Sequence, residues 1–511
     1  MNVNLRKNSI LFTFICIPHP NTIHMKTLFV ILNIFLFTFQ ISAQPLQRVA
    51  PEQVGMNSRH LTYADQAIEK AINNKDIPGA VLAVVRHGKL AYLKAYGCKQ
   101  TFPTREPMDT HTVFDMASVS KSISTAICAL ILTERGQLRL TDPVNLYLPA
   151  FSEEIRITDL LTHTSGLPAY APVNKLAEQY GSPNPEGLIE YIAGCKPVFK
   201  PGSDFQYSCL NYIVLQHIIE TISGQSLRNF AKANIFDPLG MSHTDYCPTG
   251  EILEHCAPTE KQKDGSVLKG VVHDPLARIM NGGISGNAGV FSDANDLAIL
   301  SAMLLNDGEY NGHRILSPLG VKAMRSIPRQ VSALGRSLGW DIFSPYASNH
   351  GDLFGPNTYG HTGYTGTSII LDPDSDTSVI LLTNSVHPDD KGKAIRLRSL
   401  VANAVAASIY PTERTYTDHY YKRFLQFEEE PAIGPEDIVM LGNSLTEAGK
   451  DWGARLKKKK AQPAAKADAK TSMQAYIKQM QGEIKKALPA VMTPERFTRI
   501  VLSALSTNPK L

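Results

Sequence analysis

An apolar stretch lies directly behind a Ser-x-x-Lys pattern in this chain of 511 residues. Residues 123–132 read Ile-Ser-Thr-Ala-Ile-Cys-Ala-Leu-Ile-Leu, and neither glycine nor proline follows until Gly136. A run that is apolar nearly all round predicts a helix buried inside a domain. The fold must therefore surround this helix with other secondary structure.

The Ser-x-x-Lys pattern lies at the start of that helix. Residues 116–122 read Met-Ala-Ser-Val-Ser-Lys-Ser, so Ser118 and Lys121 stand three apart and share a helix face. A serine hydroxyl becomes a good nucleophile when a neighbouring base takes its proton. A lysine serves as that base only where burial or nearby charge lowers its pKa. On their own, these four residues favour a helix cap with a solvated lysine, so the catalytic assignment depends on the rest of the chain.

Residues 25–43 have the layout of a secretory signal peptide. Met25 and Lys26 precede an apolar run at residues 28–39, shorter than the roughly 20 residues of a membrane-spanning helix. We expect cleavage after Ala43, and residues 1–24 look like an upstream extension of the reading frame. An uncleaved membrane anchor is the alternative. Cleavage predicts an exported protein, periplasmic or extracellular, without a stable membrane span.

Composition narrows the classes of protein further. The net charge of +4 indicates no acidic partner by itself. The seven cysteines include no Cys-x-x-Cys pair and no Cys/His pair at zinc spacing, so the sequence predicts no metal site and no cofactor. Six cysteines would remain after export, which allows disulfide bridges without defining their pairing.

Hydrophobic periodicity predicts an α/β (α+β) sandwich with an antiparallel sheet built from both ends of one domain. A helical pattern over residues 56–74 precedes two strands, 80–85 and 90–95, joined across His87-Gly88. Strands return at 368–371 and 378–383, and an amphipathic stretch at 394–409 closes the domain. The region between is mostly helical and is predicted to be inserted into the sheet, with the Ser118 helix in the interior.

Three further stretches accompany the Ser118 pattern. Residues 160–168 read Leu-Leu-Thr-His-Thr-Ser-Gly-Leu-Pro, residues 205–212 read Phe-Gln-Tyr-Ser-Cys-Leu-Asn-Tyr, and residues 360–368 read Gly-His-Thr-Gly-Tyr-Thr-Gly-Thr-Ser. With them the chain resembles the serine β-lactamase/penicillin-binding-protein-like hydrolases, in the class C β-lactamase-related branch, which includes esterases and D-amino-acid peptidases. The resemblance covers about residues 49 to 410 and extends to segments 114–121, 140–149, 236–241 and 286–291.

The resemblance implies a role for individual catalytic residues. Ser118 would be the acylated nucleophile and Lys121 its proton acceptor. Tyr207 would be the phenolic general acid and base that shares a proton with Lys121. His163, in the first of the three stretches, is interpreted as a loop residue bonded to backbone.

The resemblance also implies a substrate-binding wall and an oxyanion hole. His361, Thr362 and Gly363 would form the third motif, on a strand that lines the pocket. The backbone N–H groups of Ser118 and Tyr364 would hold the negative charge that develops during acyl transfer.

Two departures from the family's pattern bear on substrate choice. The second motif usually ends in asparagine, whereas Cys209 lacks the amide that would hold Lys121 and a substrate carbonyl. The third motif often begins with lysine, whereas His361 is mostly neutral at neutral pH. We therefore expect weak or no β-lactam hydrolysis and better activity on esters or small amides. Asn287 stands where many relatives carry histidine, and we attach no mechanism to it.

The domain limits follow from where the resemblance stops. Residues 1–43 are the extension and signal peptide, 44–411 the hydrolase domain and 412–435 a linker. Residues 436–456 resemble the first block of SGNH/GDSL esterases, but the later Asp-x-x-His block is missing, so we expect Ser444 to be inert. Residues 457–511 form a basic tail that resembles the start of RecT-type recombinases, which suggests two gene fragments joined near Leu456. Its lysine run is interpreted as a solvated linker, and nucleic acid is not an expected partner.

The sequence thus predicts an exported serine hydrolase that forms an acyl-enzyme on a small ester, amide or peptide. One alternative is a D-amino-acid peptidase or carboxypeptidase that acts on cell-wall peptides. Another is a non-catalytic penicillin-binding-like protein in which Cys209 and His361 have weakened the site.

Overall fold

A computed structural model describes residues 45–344, 350–391 and 393–410. Its α-helices are α1 (Ser58–Asn73), α2 (Ile127–Glu134), α3 (Ile157–Thr162), α4 (Val173–Tyr180), α5 (Pro185–Ala193), α6 (Cys209–Ser223), α7 (Leu227–Ala231), α8 (Asp237–Leu239), α9 (Gly250–His255), α10 (Ala294–Leu305), α11 (Pro318–Met324) and α12 (Ala394–Ser408). Shorter helical turns are π-helical at Lys121–Ala126, Lys232–Phe236 and Leu276–Met280, and 3-10 at Pro51–Val54, Val144–Leu146 and Arg329–Leu334.

The strands form one large sheet and two small ones. They are β1 (Gly79–Arg86), β2 (Lys89–Gln100), β3 (Glu106–Pro107), β4 (Phe114–Asp115), β5 (Asp245–Tyr246), β6 (Val290–Ser292), β7 (Glu309–Tyr310), β8 (His313–Arg314), β9 (Tyr359–Thr362), β10 (Ser368–Asp372) and β11 (Thr377–Leu382). The large sheet has the order β3-β2-β1-β11-β10-β9, and every neighbouring pair is antiparallel. Because β1 pairs with β11, strands from both ends of the domain meet at its centre, as predicted.

Side chains at alternate positions of β1 pack against different layers on the two faces of the sheet. Ala80, Leu82 and Val84 pack in a core with residues of α1 and α12. Their neighbours, including Val81 and Val85, pack in a larger core with the inserted helical region. Successive side chains of a strand point to opposite faces, so a strand that is apolar throughout requires a layer on each side. The sandwich predicted from the sequence is confirmed.

The local elements also follow the predictions. The β1–β2 hairpin turns at His87 and Gly88, whose φ angles of 51° and 64° suit the tight turn that matches strand twist. The predicted helix behind Ser118 is buried, but its first turns, Lys121–Ala126, are π-helical rather than α-helical. Such π turns often occur at functional sites.

The sequence allowed disulfide bridges but did not define their pairing. The six cysteines of the described residues, Cys98, Cys128, Cys195, Cys209, Cys247 and Cys256, are free thiols. Across the described part of the chain, the helices are too short or too polar to cross a membrane. The predicted signal peptide and the segments at 412–435, 436–456 and 457–511 lie outside the described residues and stay predictions.

Candidate active site

A strained turn presents Ser118 ahead of the buried helix. Ala117 has a φ of 45°, a backbone conformation that residues other than glycine seldom adopt. The carboxylate of Asp115 holds this turn, because one oxygen accepts the Ala117 N–H at 2.8 Å and the other accepts the His273 N–H at 2.6 Å. Ser118 is partly exposed at the tip, while Val119 behind it is buried. Such local strain is typical of functional positions.

Lys121 lies beside Ser118 and is fully buried. Its Nζ is 2.9 Å from Ser118 Oγ, 2.7 Å from the carbonyl oxygen of Asn287 and 3.7 Å from Cys209 Sγ. The side chain is 0% exposed, so the interpretation of Lys121 as a solvated lysine is excluded. The sequence spacing of three residues therefore produces the predicted Ser-Lys contact.

Opposing effects act on the charge of Lys121. Burial lowers its pKa, whereas Cys209 and Tyr207, which become anionic when they ionise, raise it, and the balance lies above the ordinary value. The Asn287 carbonyl can only accept a hydrogen bond, so Lys121 must donate to it. The lowered pKa that a direct base role for Lys121 requires is not found in this resting site. The geometry favours a charged ammonium at Lys121.

Tyr207 lies next to that ammonium in a ring of polar side chains. Lys121 Nζ is 5.1 Å from the centre of the Tyr207 ring, and hydrogen bonding to Tyr207 is among the influences that raise the pKa of Lys121. The imidazole of His163 packs on the phenol at 4.3 Å between ring centres. The fold thus brings Ser118 next to Lys121, and Lys121 next to Tyr207, as the motifs predicted.

The turn after β9 places the third motif against the Ser118 turn. Gly363 N–H donates to the carbonyl of Thr367 at 2.8 Å, and the Thr367 hydroxyl donates to the Met116 carbonyl at 3.1 Å. A Cβ on Gly363 would lie 2.2 Å from Thr367 Oγ1 and 2.6 Å from the Met116 carbonyl oxygen, so this approach requires glycine. Tyr364 follows directly, with its side chain 64% exposed. Its N–H therefore belongs to the turn that is packed on the residues preceding Ser118.

A buried arginine fixes the same turn from behind. Arg398, on α12, donates through Nη2 to the carbonyls of Gly363 at 2.7 Å and Thr367 at 3.2 Å. Burial lowers the pKa of Arg398 to about 10, which still leaves it charged at neutral pH. The helix at the end of the domain therefore helps to shape the predicted oxyanion hole.

Both ring nitrogens of His361 are engaged by the protein. Nδ1 lies 2.9 Å from the carbonyl of Thr362, and Nε2 lies 3.0 Å from Nη2 of Arg336. Since a guanidinium only donates, Nε2 accepts and Nδ1 carries the proton. Burial, followed by the charges of Arg336 and Lys121, holds the pKa of His361 well below its usual value. His361 is therefore a buried, neutral imidazole, in line with the expectation that it is mostly neutral.

His163 and Cys209 complete the surroundings of the catalytic residues. His163 Nδ1 accepts the Ser208 N–H at 3.1 Å, which confirms the predicted bond to backbone. Cys209 begins α6 and keeps a long contact with Lys121 where the family's amide would lie. Burial raises the pKa of the Cys209 thiol, so it is mainly a neutral thiol at neutral pH.

Three residues that form contacts in this site had no assigned role in the sequence interpretation. They are Arg336, Arg398 and Asn287, which contact the site through a guanidinium or a backbone carbonyl. Asn287 was noted as unusual in its motif, but its role depends on its carbonyl, which every residue type carries. Arg336 lies in a stretch that no motif covers.

Within the described residues, one group has the geometry to hold a metal ion: His243, Asp293 and Asp296. Asp296 already accepts the His243 N–H and the Thr244 hydroxyl, both at 2.8 Å, and Asp293 accepts the Asp296 N–H at the start of α10. These hydrogen bonds explain why the three residues lie together, since they stabilise the start of α10.

The comparison with protein-family models shows which family the chain belongs to. The family model described as Beta-lactamase matches residues 64–403. The chain belongs to the Beta-lactamase family. This confirms the resemblance stated from the motifs, and with it a serine-hydrolase family of the β-lactamase and penicillin-binding-protein type.

Relatives of this β-lactamase-family chain extend over most of its length. An Escherichia coli K12 protein named "Putative D-alanyl-D-alanine carboxypeptidase" is 30% identical over 400 residues, covering 71% of this chain and 92% of the relative. A Bacillus subtilis strain 168 protein named N-acetylmuramyl-L-alanine amidase is 32% identical over 412 residues, covering 71% and 91%.

Solved structures share the fold of this β-lactamase-family chain. EstCE1, described as a hydrolase with promiscuous acyltransferase activity, matches with a TM-score of 0.55 and 24% identity, covering 68% of this chain and 99% of that structure. An octameric penicillin-binding protein homologue from Pyrococcus abyssi matches with a TM-score of 0.54 and 24% identity, covering 71% and 80%. At this identity the likeness concerns the fold alone.

Proposed function

We propose that this protein is an exported serine hydrolase that forms an acyl-enzyme at Ser118 with small, uncharged esters or amides. The observation that carries the proposal is the 2.9 Å contact between Lys121 Nζ and Ser118 Oγ in a site where Lys121 is fully buried. A buried amine held against a serine hydroxyl has no evident use in folding, since its burial costs free energy unless its partners compensate. Activation of a nucleophile explains why it is kept.

Each step of the proposed reaction uses groups that lie together. The Ser118 proton passes to the Tyr207–Lys121 pair, in which the ammonium favours the ionised phenol. Ser118 Oγ then bonds to the acyl carbon, the bond to the leaving group breaks, and the pair returns the proton to the leaving group. The amides of Ser118 and Tyr364 would stabilise the oxyanion. A water molecule attacks the acyl-enzyme in the same way and releases the acid.

The proposed preference for uncharged substrates rests on the third motif. His361 is neutral and uses both ring nitrogens within the protein. The nearby cation Arg336 is 1% exposed and paired with Asp341 at 2.6 Å. This motif therefore presents no exposed charge to a substrate carboxylate. Penicillins and peptide C-termini carry such a carboxylate, so the preference extends to weak or no β-lactam turnover.

The names of the relatives favour a second candidate, a carboxypeptidase or amidase that acts on cell-wall peptides. Both relatives match along more than nine-tenths of their own length, so the whole hydrolase domain is comparable. This candidate uses the same Ser118 chemistry and differs in the substrate it selects.

A matched pair of substrates separates the two candidates. We would measure cleavage of the same terminal peptide bond in both substrates, as release of D-alanine from a peptide ending in D-Ala-D-Ala and of D-alanine methyl ester from its methyl ester. The burst of p-nitrophenol from a short acyl ester would be measured beside them. The proposal predicts that the methyl ester is turned over at least about tenfold faster than the free acid. Preference for the free acid would identify the peptidase instead.

Two serine variants make that experiment specific. Ser118→Ala should abolish the burst, whereas Ser203→Ala, at an exposed serine bonded to the Lys200 carbonyl, should keep it. A stoichiometric burst with no later turnover would identify the non-catalytic, penicillin-binding-like alternative. Hydrolysis that survives Ser118→Ala would refute the proposed nucleophile.

Export is proposed from residues 25–43 alone, and a separate experiment tests it. The chain would be expressed in a Gram-negative host, and the periplasmic fraction analysed by N-terminal sequencing. A mature terminus at Gln44 supports export with cleavage after Ala43. Full-length protein that stays with the membrane fraction would support the uncleaved anchor instead.

A further inference from the structure

Arg336 is a buried cation in the wall of the active site. Its Nη2 donates to His361 Nε2 at 3.0 Å, and its Nη1 lies 2.6 Å from Asp341 Oδ2. The other oxygen of Asp341 accepts from the backbone and hydroxyl of Ser344, so that carboxylate is held by its own loop. The guanidinium, rather than the carboxylate, is therefore the charged group that contacts the residues of the pocket.

Two cations lie around the ring of Tyr207. Lys121 Nζ is 5.1 Å from the ring centre, and Arg336 Cζ is 5.5 Å from it. The two imidazoles beside the ring are His163 at 4.3 Å and His361 at 6.1 Å between ring centres. Burial first, and then the charge of Arg336, holds the pKa of both imidazoles well below the ordinary value. Around this phenol, therefore, the nearby imidazoles are neutral and the two cations carry the charge.

Two further ionisable groups, Cys209 and Asp274, act on Lys121. Cys209 Sγ lies 3.7 Å from Lys121 Nζ, and Asp274 contributes a negative charge that raises the pKa of Lys121. Both favour retention of the proton by Lys121. Arg336 has the opposite sign and favours loss of a proton from any group close to it.

We propose that Arg336 is a positioning residue whose charge keeps the Lys121–Tyr207 pair in the form that has lost one proton and can accept another from Ser118. The inference rests on the proposed hydrolase function and adds to it the group that sets the acid side of its pH dependence. Because the two residues share a proton, the change belongs to the pair rather than to either residue. The bond to His361 serves the same arrangement by holding the neighbouring imidazole in one tautomer.

The test compares two substitutions that change charge in opposite directions. Arg336→Met removes the cation, and Asp341→Asn removes its counter-charge, while Arg336→Lys keeps the positive charge. We would measure kcat/KM for a short p-nitrophenyl ester from pH 5 to pH 10 with the full-length protein and each variant. The melting temperature of each variant would show that it is folded.

The proposal predicts shifts of opposite sign in the acid limb of the profile. In Arg336→Met the limb moves to higher pH by about one unit, so kcat/KM falls about tenfold on the acid side and less on the alkaline plateau. In Asp341→Asn the limb moves to lower pH, and in Arg336→Lys it stays within about 0.3 units of the wild type, a margin that we set for the charge-retaining control. If both charge-removing variants lower the plateau without moving the limb, Arg336 is merely structural and the inference is wrong. Should Arg336→Met not fold, the direction of the Asp341→Asn shift still decides.

A spectroscopic titration separates this inference from the proposed function. The ultraviolet difference between the protein and its Tyr207→Phe variant reports ionisation of Tyr207 without any substrate. The inference predicts that this signal moves to higher pH when Arg336→Met is introduced in both proteins, and an unchanged signal would contradict it. Absence of Ser118-dependent hydrolysis in the wild type, with the spectroscopic shift present, would overturn the proposed function and leave the electrostatic role of Arg336 standing.

Discussion

Lys121 places its side-chain nitrogen 2.9 Å from the hydroxyl oxygen of Ser118 while donating a 2.7 Å hydrogen bond to the carbonyl of Asn287. The second bond anchors the ammonium to the backbone of another segment. A lysine with no exposed surface has few rotamers left, so its direction is set by the fold and not by the ligand. This relationship ties the nucleophile to the segment 286–289, far along the chain from it.

Replacement of Lys121 by methionine should lower kcat/KM for an ester by about 10³-fold, because general acid–base groups contribute roughly 10² to 10⁴. Methionine fills a similar space and leaves no uncompensated charge in the interior. Lys94→Met, at a partly exposed lysine paired with Asp65, is the matched control and should stay within about twofold of the wild type, the scatter that we allow for a substitution outside the site. A Lys121→Met enzyme within about tenfold of the wild type would show that Lys121 has no chemical role, since even the weaker general acid–base groups contribute more.

Replacement of Cys209 by asparagine should raise kcat/KM on small amides by about fivefold. The 3.7 Å thiol contact would become an amide-oxygen acceptor for Lys121, and one good hydrogen bond is worth about 1 kcal/mol. Cys195→Asn, at a thiol outside the catalytic contacts, is the control. A decrease in activity for Cys209→Asn, with an unchanged melting temperature, would mean that the thiol is adapted to this site.

Replacement of Gly363 by alanine should reduce acylation by at least about 10²-fold, because the new Cβ would meet Thr367 Oγ1 at 2.2 Å and the Met116 carbonyl oxygen at 2.6 Å. The oxyanion turn must then move away from Ser118, and loss of one oxyanion donor costs about 10² to 10³ in rate. Gly194→Ala is the matched control, since its nearest atom would be 3.5 Å away. The rate of the p-nitrophenol burst measures acylation directly. Equal burst rates for Gly363→Ala and Gly194→Ala would remove this turn from the mechanism.

The stability of the protein should fall as the pH drops below about 6.5, and His163 should account for part of the loss. Burial, followed by the charges of Arg336 and Lys121, holds its folded pKa well below the unfolded value of 6.5. The unfolded chain therefore binds a proton that the folded chain does not, so the stabilising contribution is present above pH 6.5 and is lost as pH falls towards the folded pKa.

His163→Asn tests this assignment. Asparagine tolerates the left-handed φ of 61° at this position, and its side-chain oxygen can accept the Ser208 N–H. Urea unfolding at pH 5, 6 and 7 should give a pH slope that is shallower than that of the wild type by up to about 1.4 kcal/mol per pH unit. An unchanged slope would mean that His163 is not a source of acid sensitivity.

Periodicity and turn chemistry were enough to predict the four central strands of the large sheet and its covering layers, but not the edge strands β3 and β9. The alternating residues of β1 and the amphipathic patterns of α1 and α12 are local signals, and pairing of strands from both ends follows from the need to bury both faces. The π-helical start after Ser118 was missed, because a hydrophobic pattern does not distinguish an i→i+4 turn from an i→i+5 turn over so few residues.

The sequence predicted those residues of the candidate site that belong to recognisable motifs. Ser118, Lys121, Tyr207 and His361 belong to motifs, and the fold brings them together. Arg336 was missed because its partners, His361 and Asp341, are defined only by the folded chain and by no spacing. Asn287 was noticed for its side chain, whereas the contact with Lys121 uses its backbone carbonyl.

Intact-mass spectrometry of the full-length protein treated with a fluorophosphonate probe would show whether Ser118 is an activated nucleophile. Such probes form a covalent adduct with an activated serine, so we expect one adduct on the wild type and none on Ser118→Ala. The same adduct on Ser118→Ala, or no adduct on folded wild-type protein, would contradict the assignment of Ser118 as the nucleophile.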